Sequence, residues 1–371
     1  MKNMNILYLL WGYEHDKGII KAFRKEGINI STFSIEKGRT EIGLFKEAIC
    51  SKKIEIVFSI NFHGWISDLC QAEGIPYCSW VLEFPNYDLY TRSIFHPCNY
   101  IALGDSFLVE RLWSLGLKKV FYLPDAIESV EESISITFQR EFCFVGNKPE
   151  NTLKNLENSK YERGYLDAFI QCQRVLPGIN ILENGLINRV YQEIVEQNPI
   201  PQKILPEFHK LYIADKYMSA ECTIWQQNIF LQNNANIFTI YSDSSFPMCD
   251  CKKYPYPKTE EERRQVYKNK EFSIVLASPN IHNAIPRQTL EIIAAGGFPI
   301  CSFQRDYLYF FEKDHNLVYF TGTKDFFSAL DKYGNDGKER KRIQEASYEM
   351  VKKHHTYTNR IVRMLEAWSE F

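Results

Sequence analysis

In the first third of this 371-residue chain, short apolar runs alternate with amphipathic stretches that end at glycine. Ile6–Trp11 reads as a strand; Asp16 then caps a helix with apolar positions Ile19, Ile20 and Phe23, and Gly27 ends it. Ile28–Phe33 is a second strand, and a helix around Leu44–Ser51 leads to a third, Ile54–Ile60. A helix from Trp65 to Glu73, closed by Gly74, leads to strand Tyr77–Leu82. Strand Tyr100–Leu103, helix Phe107–Leu115 ended by Gly116, and strand Val120–Leu123 complete the series. Repeated strand–helix–strand units imply parallel strands in a doubly wound α/β sheet. The ligand crevice of such a sheet lies beyond the carboxyl ends of its strands. The loops after the third and fourth strands therefore hold candidate site residues: Asn61, Phe62 and His63, then Glu83 with Phe84 and Pro85.

Residues 126–140 (AIESVEESISITFQR) lose the apolar pattern and read as a linker. A new strand, Phe142–Val145, opens the second half and is followed by Gly146 and Asn147. Residues 150–235 are polar and helix-rich; strands follow at Ile237–Tyr241, Ser273–Ala277 and Phe298–Phe303. The chain closes in helix from Lys338 to Trp368, broken near His354–Tyr357. A chain of this length suits two domains: residues 1–130 and 140–350, with 351–371 as a terminal helical element.

Lys plus Arg is 44 and Asp plus Glu 46, a net charge of −2. That balance argues against nucleic acid as a partner, because gripping a phosphate backbone calls for a basic excess. Ten cysteines are scattered without paired C-x-x-C knuckles; Cys249 and Cys251 form a lone C-x-C, too few ligands for a structural zinc site. Cys78 and Cys143 sit in apolar runs and read as buried, reduced thiols. No stretch reaches the roughly 20 apolar residues of a membrane span. The expected location is the cytoplasm, with peripheral membrane contact left open.

The most informative segment runs from Phe272 to Phe303 (FSIVLASPNIHNAIPRQTLEIIAAGGFPICSF). A strand runs into a polar loop, Pro286 stands at the expected first helical position, and Gly296 and Gly297 stop the helix. Free N–H groups and the positive dipole end at the mouth of a parallel sheet suit a pyrophosphate. Arg287 adds a bidentate phosphate donor. Glu291, one turn on, is placed to accept from ribose hydroxyls. The competing reading makes Arg287 and Glu291 an exposed i, i+4 pair on a surface helix.

The segment resembles the nucleotide-sugar motif of glycosyltransferase family 4, in which two glutamates eight positions apart flank a Gly-Phe-Gly stretch. Glu291 matches the second glutamate, and Gly296 and Gly297 match the turn; Asn283 stands at the first glutamate and Ile285-Pro286 replaces the glycine stretch. Those departures are similar to the CgeB-type (spore-maturation) bacterial glycosyltransferases, where the stretch reads I-P-R-x-x-E-I-x-x-x-G-G-F. Further matches are NFHGWISDLCQAEGIPYCSWVLEFP (61–85), PCNYIALGD (97–105), LGLKKVFYLPDA (115–126), FVGN (144–147) and HTYTNR (355–360). The resemblance implies a GT-B architecture. In it two Rossmann-like domains face a cleft, the C-terminal one takes the nucleotide and the N-terminal one the acceptor, and residues 351–371 cross back to the N-terminal domain.

On that basis the donor-binding set is Gly146, Asn147, Asp243, Asn283, Ile285, Pro286, Arg287, Glu291, Gly296 and Gly297. Arg287 is the candidate leaving-group stabiliser, and no metal or other cofactor is expected. Asn61, Phe62 and Asp105 belong to the acceptor side, although Asp105 reads more simply as the N-cap of the Phe107 helix. The resemblance implies that Glu83 orients the acceptor, stabilises an oxocarbenium-like centre or, in an inverting enzyme, acts as general base. Anchoring of a loop through backbone hydrogen bonds is the alternative. His63 ranks below Glu83, since a lone loop histidine is more often solvated. Asp243 contacts donor or makes a turn; His354 and His355 read as packing residues; Glu260–Arg264 reads as a solvated helix face. The expected activity is transfer of a sugar from a nucleotide-sugar, with retention and without metal, to a glycan, protein or small-molecule acceptor. The rivals are an inactive GT-B protein acting in binding or coat assembly, and a nucleotide-sugar epimerase.

Overall fold

The computed structural model describes residues 4–35, 42–51, 53–128, 141–147, 191–192, 195–196, 200–218, 238–244, 251–278 and 280–370. Residues 129–140 of the expected linker, most of the helix-rich region 150–235, and Cys249 of the C-x-C lie outside the described residues. The chain divides into two compact units. Unit 1 comprises Met1–Glu128, Pro201–Phe208 and His354–Phe371; unit 2 comprises Ser129–Ile200 and His209–Lys353.

Unit 1 is built on β1 (Asn5–Leu10), α1 (Asp16–Lys25), β2 (Asn29–Ser34), α2 (Ile42–Ser51), β3 (Ile56–Ile60), α3 (Gly64–Glu73), β4 (Tyr77–Val81), β5 (Asn99–Leu103), α4 (Ser106–Ser114) and β6 (Val120–Tyr122). All pairings in its sheet are parallel, in the order β2-β1-β3-β4-β5-β6. The centre carries unbroken apolar runs: every residue of β4 (YCSWV) is buried, as a strand covered on both faces requires. Edge strand β2 (NISTFS) mixes exposed and half-buried positions and has none fully buried.

Unit 2 contains β7 (Phe142–Val145), α5 (His209–Ile213), β8 (Phe238–Tyr241), β9 (Lys252–Tyr254), α6 (Glu260–Lys268), β10 (Phe272–Val275), α7 (Arg287–Ala294), β11 (Pro299–Ser302), β12 (Val318–Phe320), α8 (Thr323–Asn335) and α9 (Gly337–His354). Its parallel sheet runs β12-β11-β10-β7-β8-β9 around a core of Phe144, Phe272, Ile274, Phe298, Ile300 and Phe326. The last helix, α10 (Tyr357–Glu370), belongs to unit 1, where Tyr357, Ile361, Met364 and Trp368 join the core of Tyr8, Phe23, Phe58 and Trp80. A second late segment does the same: Leu205 N–H donates to the Tyr90 carbonyl, and Phe208 stacks on Tyr90 at 4.8 Å.

The order of each sheet fixes where a ligand can sit. In unit 1 the winding direction reverses between β1 and β3, and in unit 2 between β7 and β10. The crevice of a doubly wound sheet opens at that reversal, beyond the carboxyl ends of the two strands. The loops that matter are therefore 11–15 and 61–63 in unit 1, and 146–147 and 276–286 in unit 2.

Candidate active site

In unit 2 the loop after β10 delivers the chain to α7. Pro286 is the N-cap, with extended ψ, and the helix starts one residue later than the sequence suggests, at Arg287. Pro286 itself supplies no side-chain cap hydrogen bond, and the first-turn N–H groups and the positive dipole end point back toward the loop that precedes the helix. The first turn is pinned from below. Gln288 Nε2 donates to the Val145 carbonyl at 2.8 Å and to Tyr267 Oη at 3.2 Å, and Thr289 Oγ1 meets Tyr307 Oη at 2.8 Å.

The other end of α7 closes in a Schellman motif. Gly296 has φ +75°, its N–H donates to the Ile293 carbonyl, and Gly297 N–H donates to the Ile292 carbonyl. Gly297 has a second constraint: a Cβ there would stand 2.9 Å from Ile292 Cγ2 and 3.1 Å from two backbone carbonyl oxygens. Both glycines thus set the helix end and the return into β11, and neither is itself a contact point at the α7 N-terminus.

Arg287 and Glu291 do form an i, i+4 pair, Nε to Oε1 at 2.9 Å, but they are not a surface pair. Glu291 is buried, and Arg263 of α6 grips it with both arms: Nε to Oε2 and Nη2 to Oε1, each at 3.0 Å. Arg287 Nη2 also meets Glu260 Oε2 at 3.1 Å. The run Glu260–Arg264 is therefore only in part a solvated face: Glu261 and Glu262 are exposed, Glu260 and Arg264 half-buried and Arg263 buried. A capping box starts α6 at Thr259, whose side chain accepts from Glu262 N–H while Glu262 accepts from Thr259 N–H. That start sets Arg263 on the inner side of the helix, where it is buried. The sequence signal that could have found it is the four-residue reach from the Thr259 capping box to an arginine flanked by the apolar Val266 and Tyr267.

At the ends of β7 and β8, Asn147 Oδ1 accepts from Ser242 Oγ at 3.0 Å and from Asp243 N–H at 2.8 Å. Asp243 in turn accepts from Tyr256 N–H at 3.0 Å, so its carboxylate organises a turn. Gly146 N–H donates to the Tyr241 carbonyl, and a Cβ on Gly146 would meet the Phe144 ring at 2.9 Å. Asn283 and Ile285 are buried, and the Asn283 carbonyl accepts from Asp306 N–H. The loop also carries His282, whose Nε2 lies 3.6 Å from the buried carboxylate of Asp215, a pair the sequence reading did not single out.

In unit 1 the loop after β3 is tied to the end of β4. Asn61 has φ +60°, a left-handed conformation that asparagine tolerates. Its Oδ1 accepts from Leu82 and Glu83 N–H, and its Nδ2 donates to Glu83 Oε2 at 2.9 Å and to Tyr13 Oη at 3.2 Å. Glu83 keeps solvent exposure at this point. Partial burial, and then the charge of Asp125, hold its carboxyl above the usual glutamate value, while hydrogen bonds from Asn61 and Tyr13 oppose the shift. The same loops hold His15, which the sequence did not single out, and Asp16, which was expected to cap α1 but is its first residue, with His15 at the N-cap and no side-chain cap hydrogen bond there. Asp16 accepts from Tyr8 Oη and Tyr13 N–H, and His15 Nδ1 meets Tyr357 Oη at 2.9 Å.

Three expected site residues take other roles. Phe62 is in the core against Tyr77 at 5.7 Å and does not line the crevice. His63 is not a solvated loop histidine: its ring stacks on Trp11 at 4.4 Å, and burial pushes its pKa down. Asp105 caps α4, accepting from Phe107 N–H at 3.0 Å. His355, read as a packing residue, is buried with Nδ1 against Arg360. Among the described residues no group of three or more His, Cys, Asp or Glu is placed to hold a metal ion, and no helix is long and apolar enough to cross a membrane.

Solved structures are similar to this chain in fold. Sucrose-phosphate synthase (tll1590) from Thermosynechococcus elongatus matches with TM-score 0.54 at 9% identity, over 99% of each chain. Anabaena Alr3699/HepE, solved in complex with UDP and glucose, matches with TM-score 0.51 at 8% identity, over 100% of each chain. A glycosyltransferase from Rickettsia africae matches with TM-score 0.50 at 11% identity, over 100% of this chain and 99% of that one. The fold is GT-B. A family model described as Glycosyl transferase-like matches residues 234–366, which span the α6, α7 and β10 elements of the charged cluster. That match, on a GT-B fold, places the chain in the sugar-transferring class of transferases. No curated protein matches the chain.

Proposed function

We propose that this chain transfers a sugar from a nucleoside-diphosphate sugar, UDP-linked in the first instance, with retention at the anomeric carbon, to a hydroxyl acceptor on a glycan, protein or small molecule. The observation that carries the reading is Arg287, held by Glu260 and Glu291 at the start of α7, at the winding reversal of the unit 2 sheet. A diphosphate placed there meets backbone N–H groups, the helix dipole and a guanidinium. Those groups stabilise the departing diphosphate as the bond from the anomeric carbon to its oxygen breaks. UDP in the complexes of Anabaena Alr3699/HepE supports uridine as the nucleoside.

On this reading the N-terminal unit binds the acceptor around Tyr13, Asn61 and Glu83, and the Glu83 carboxylate stabilises positive charge developing on the sugar. The new bond joins the acceptor oxygen to the anomeric carbon, and the acceptor proton leaves with the diphosphate. The location is proposed as cytoplasmic. A donor-binding protein without turnover is the second reading, favoured by Asn283 at the place where the resembling family carries a glutamate.

A thermal-shift panel of UDP, GDP, ADP, CMP and TDP, on wild type and Arg287→Ala, tests the proposal. A ligand at 100 times its Kd adds about 2.7 kcal/mol of stability. Stabilisation of wild type but not of the variant supports it, and a panel in which no nucleotide stabilises wild type overturns it. Sugar transfer or donor hydrolysis that Arg287→Ala abolishes would exclude the non-catalytic reading.

A further inference from the structure

Two loops of unit 1 carry an aromatic pair beside a polar one. Trp11 and Tyr13 follow β1, Asn61 and His63 follow β3, and the sheet reverses its winding between those two strands. Trp11 and His63 stack, with ring centroids 4.4 Å apart and 22° between their planes. Asn61 Nδ2 donates to Tyr13 Oη at 3.2 Å and to Glu83 Oε2 at 2.9 Å. Along each loop the stacked residue stands two positions from the bonded one.

Trp11 is not satisfied as other tryptophans of this chain are. Trp80 and Trp113 give Nε1–H to the carbonyls of Leu123 and Val120, each at 2.9 Å, and Trp368 gives its own to Cys78 Sγ at 3.1 Å. Trp11 Nε1 is shielded and has no hydrogen-bond partner among the described residues, although the residue as a whole is only half-buried. A shielded indole N–H without an acceptor is destabilising, so packing alone would favour a purely apolar ring here. The ring stacked on it is held firmly. His63 N–H donates to Tyr77 Oη at 3.1 Å, and Nε2 lies 3.2 Å from the Ile60 carbonyl, which can only accept, so Nε2 carries a proton. Burial pushes the His63 pKa down, with the charge of Asp88 opposing, and favours the neutral ring.

A pyranose divides in the same way. Its C–H groups form an apolar face that suits the negative face of an aromatic ring, and its hydroxyls at the rim suit a carboxylate, an amide and a phenol. A serine or threonine side chain offers the hydroxyl without the flat face. We propose that the acceptor is a carbohydrate, whose pyranose ring lies on the Trp11 indole while a hydroxyl meets the Asn61–Glu83 pair. The inference rests on the acceptor-side reading above and deepens it, choosing among glycan, protein and small molecule.

The test uses the full chain with UDP present. Methyl β-glucopyranoside, methyl β-galactopyranoside, methyl α-mannopyranoside and methyl N-acetyl-β-glucosaminide are added one at a time, and saturation-transfer NMR is read on the sugar protons. At least one glycoside is expected to take up saturation mainly on the C–H protons of one ring face. Trp11→Phe, which keeps a flat ring, retains the signal. Trp11→Leu weakens glycoside binding about five- to tenfold, the scale of one aromatic contact, and leaves UDP affinity at the wild-type value. No glycoside signal in wild type, or an equal signal in Trp11→Leu, overturns the proposal. Should Trp11→Leu fail to fold, wild type labelled with 5-fluorotryptophan decides. The Trp11 fluorine resonance, assigned by its loss in Trp11→Phe, must move when the glycoside is added, and a resonance that stays in place overturns the proposal. Wild type that binds UDP but no glycoside sinks this inference alone. Wild type that binds no nucleotide sinks the donor-site reading, and the glycoside result still decides this one.

Discussion

Asn61 and Glu83 are joined in both directions: Glu83 N–H donates to Asn61 Oδ1 at 3.0 Å, and Asn61 Nδ2 donates to the Glu83 carboxylate at 2.9 Å. One side chain therefore fixes both the backbone and the carboxylate of the residue at the end of β4. Asn61→Gly keeps the left-handed backbone that Asn61 adopts at φ +60° and removes the clasp together with the bonds to Leu82 and Tyr13. Its kcat/KM is expected to fall on the order of 10²-fold, the scale of a displaced catalytic group, with a lower melting temperature from the Leu82 and Glu83 N–H groups that lose their acceptor. Steady-state kinetics beside a thermal melt checks this.

The pH dependence of activity should report Glu83. Its carboxyl titrates above the usual glutamate value because of partial burial and then Asp125, with Asn61 and Tyr13 opposing. If the carboxylate is the active form, the acid limb of the rate profile lies above the ordinary glutamate range. Asp125→Asn removes a raising charge and moves that limb to lower pH; Asn61→Gly removes an opposing hydrogen bond and moves it to higher pH. The linkage has a definite sign. A raised folded value means the folded chain holds the proton more tightly, so stability from this group is present at low pH and lost as pH rises through the folded value. Glu83→Gln should therefore be more heat-stable than wild type above that midpoint, seen in melts at pH 4 and pH 8.

Arg340 and Glu271 form an ion pair at 2.7 Å with both residues buried, and Arg340 also donates to the Tyr333 carbonyl. Arg340→Met strands the carboxylate and is expected to cost about 3–5 kcal/mol in urea unfolding. Arg340→Met/Glu271→Leu should recover most of that loss, since the expense lies in the uncompensated charge.

Gly18 stands in the first turn of α1 because α10 crosses there: a Cβ on Gly18 would come within 2.5 Å of the Tyr357 ring. The ring has little freedom to yield, with Tyr357 Oη on His15 and the ring edge-on to Trp80. Gly18→Ala, which elsewhere in a helix would stabilise, should here cost about 1–3 kcal/mol by overpacking, measured by denaturant melt.

Most strands with apolar runs were legible to within a residue or two, because a doubly covered parallel strand has no polar alternation to blur it; β12 (Val318–Phe320), buried throughout, was not read. β7 appears at Phe142–Val145 as read, and the break in the last helices falls at His355–Thr356. β9 was not legible: its sequence is Lys-Lys-Tyr, exposed throughout, and it is a strand only because it completes an edge. The site was legible where one segment held it, as at Pro286–Gly297. Arg263 was not, since its partner Glu291 is 28 residues away and only tertiary packing turns its side chain inward. His15 escaped for the same reason: its partner Tyr357 is 342 residues distant.

Unit 1 takes its last helix from the far end of the sequence, and this has a bearing on synthesis. The ribosome delivers the strands of the first sheet early, yet Phe23, Phe58 and Trp80 wait for Tyr357, Ile361, Met364 and Trp368 before that side of their core is closed. Trp368 Nε1–H reaches back 290 residues to Cys78 Sγ at 3.1 Å. A nascent chain halted anywhere before α10 would therefore display an open apolar face on its earliest-made domain, and holdase chaperones that recognise such faces should stay bound to stalled chains until α10 has emerged.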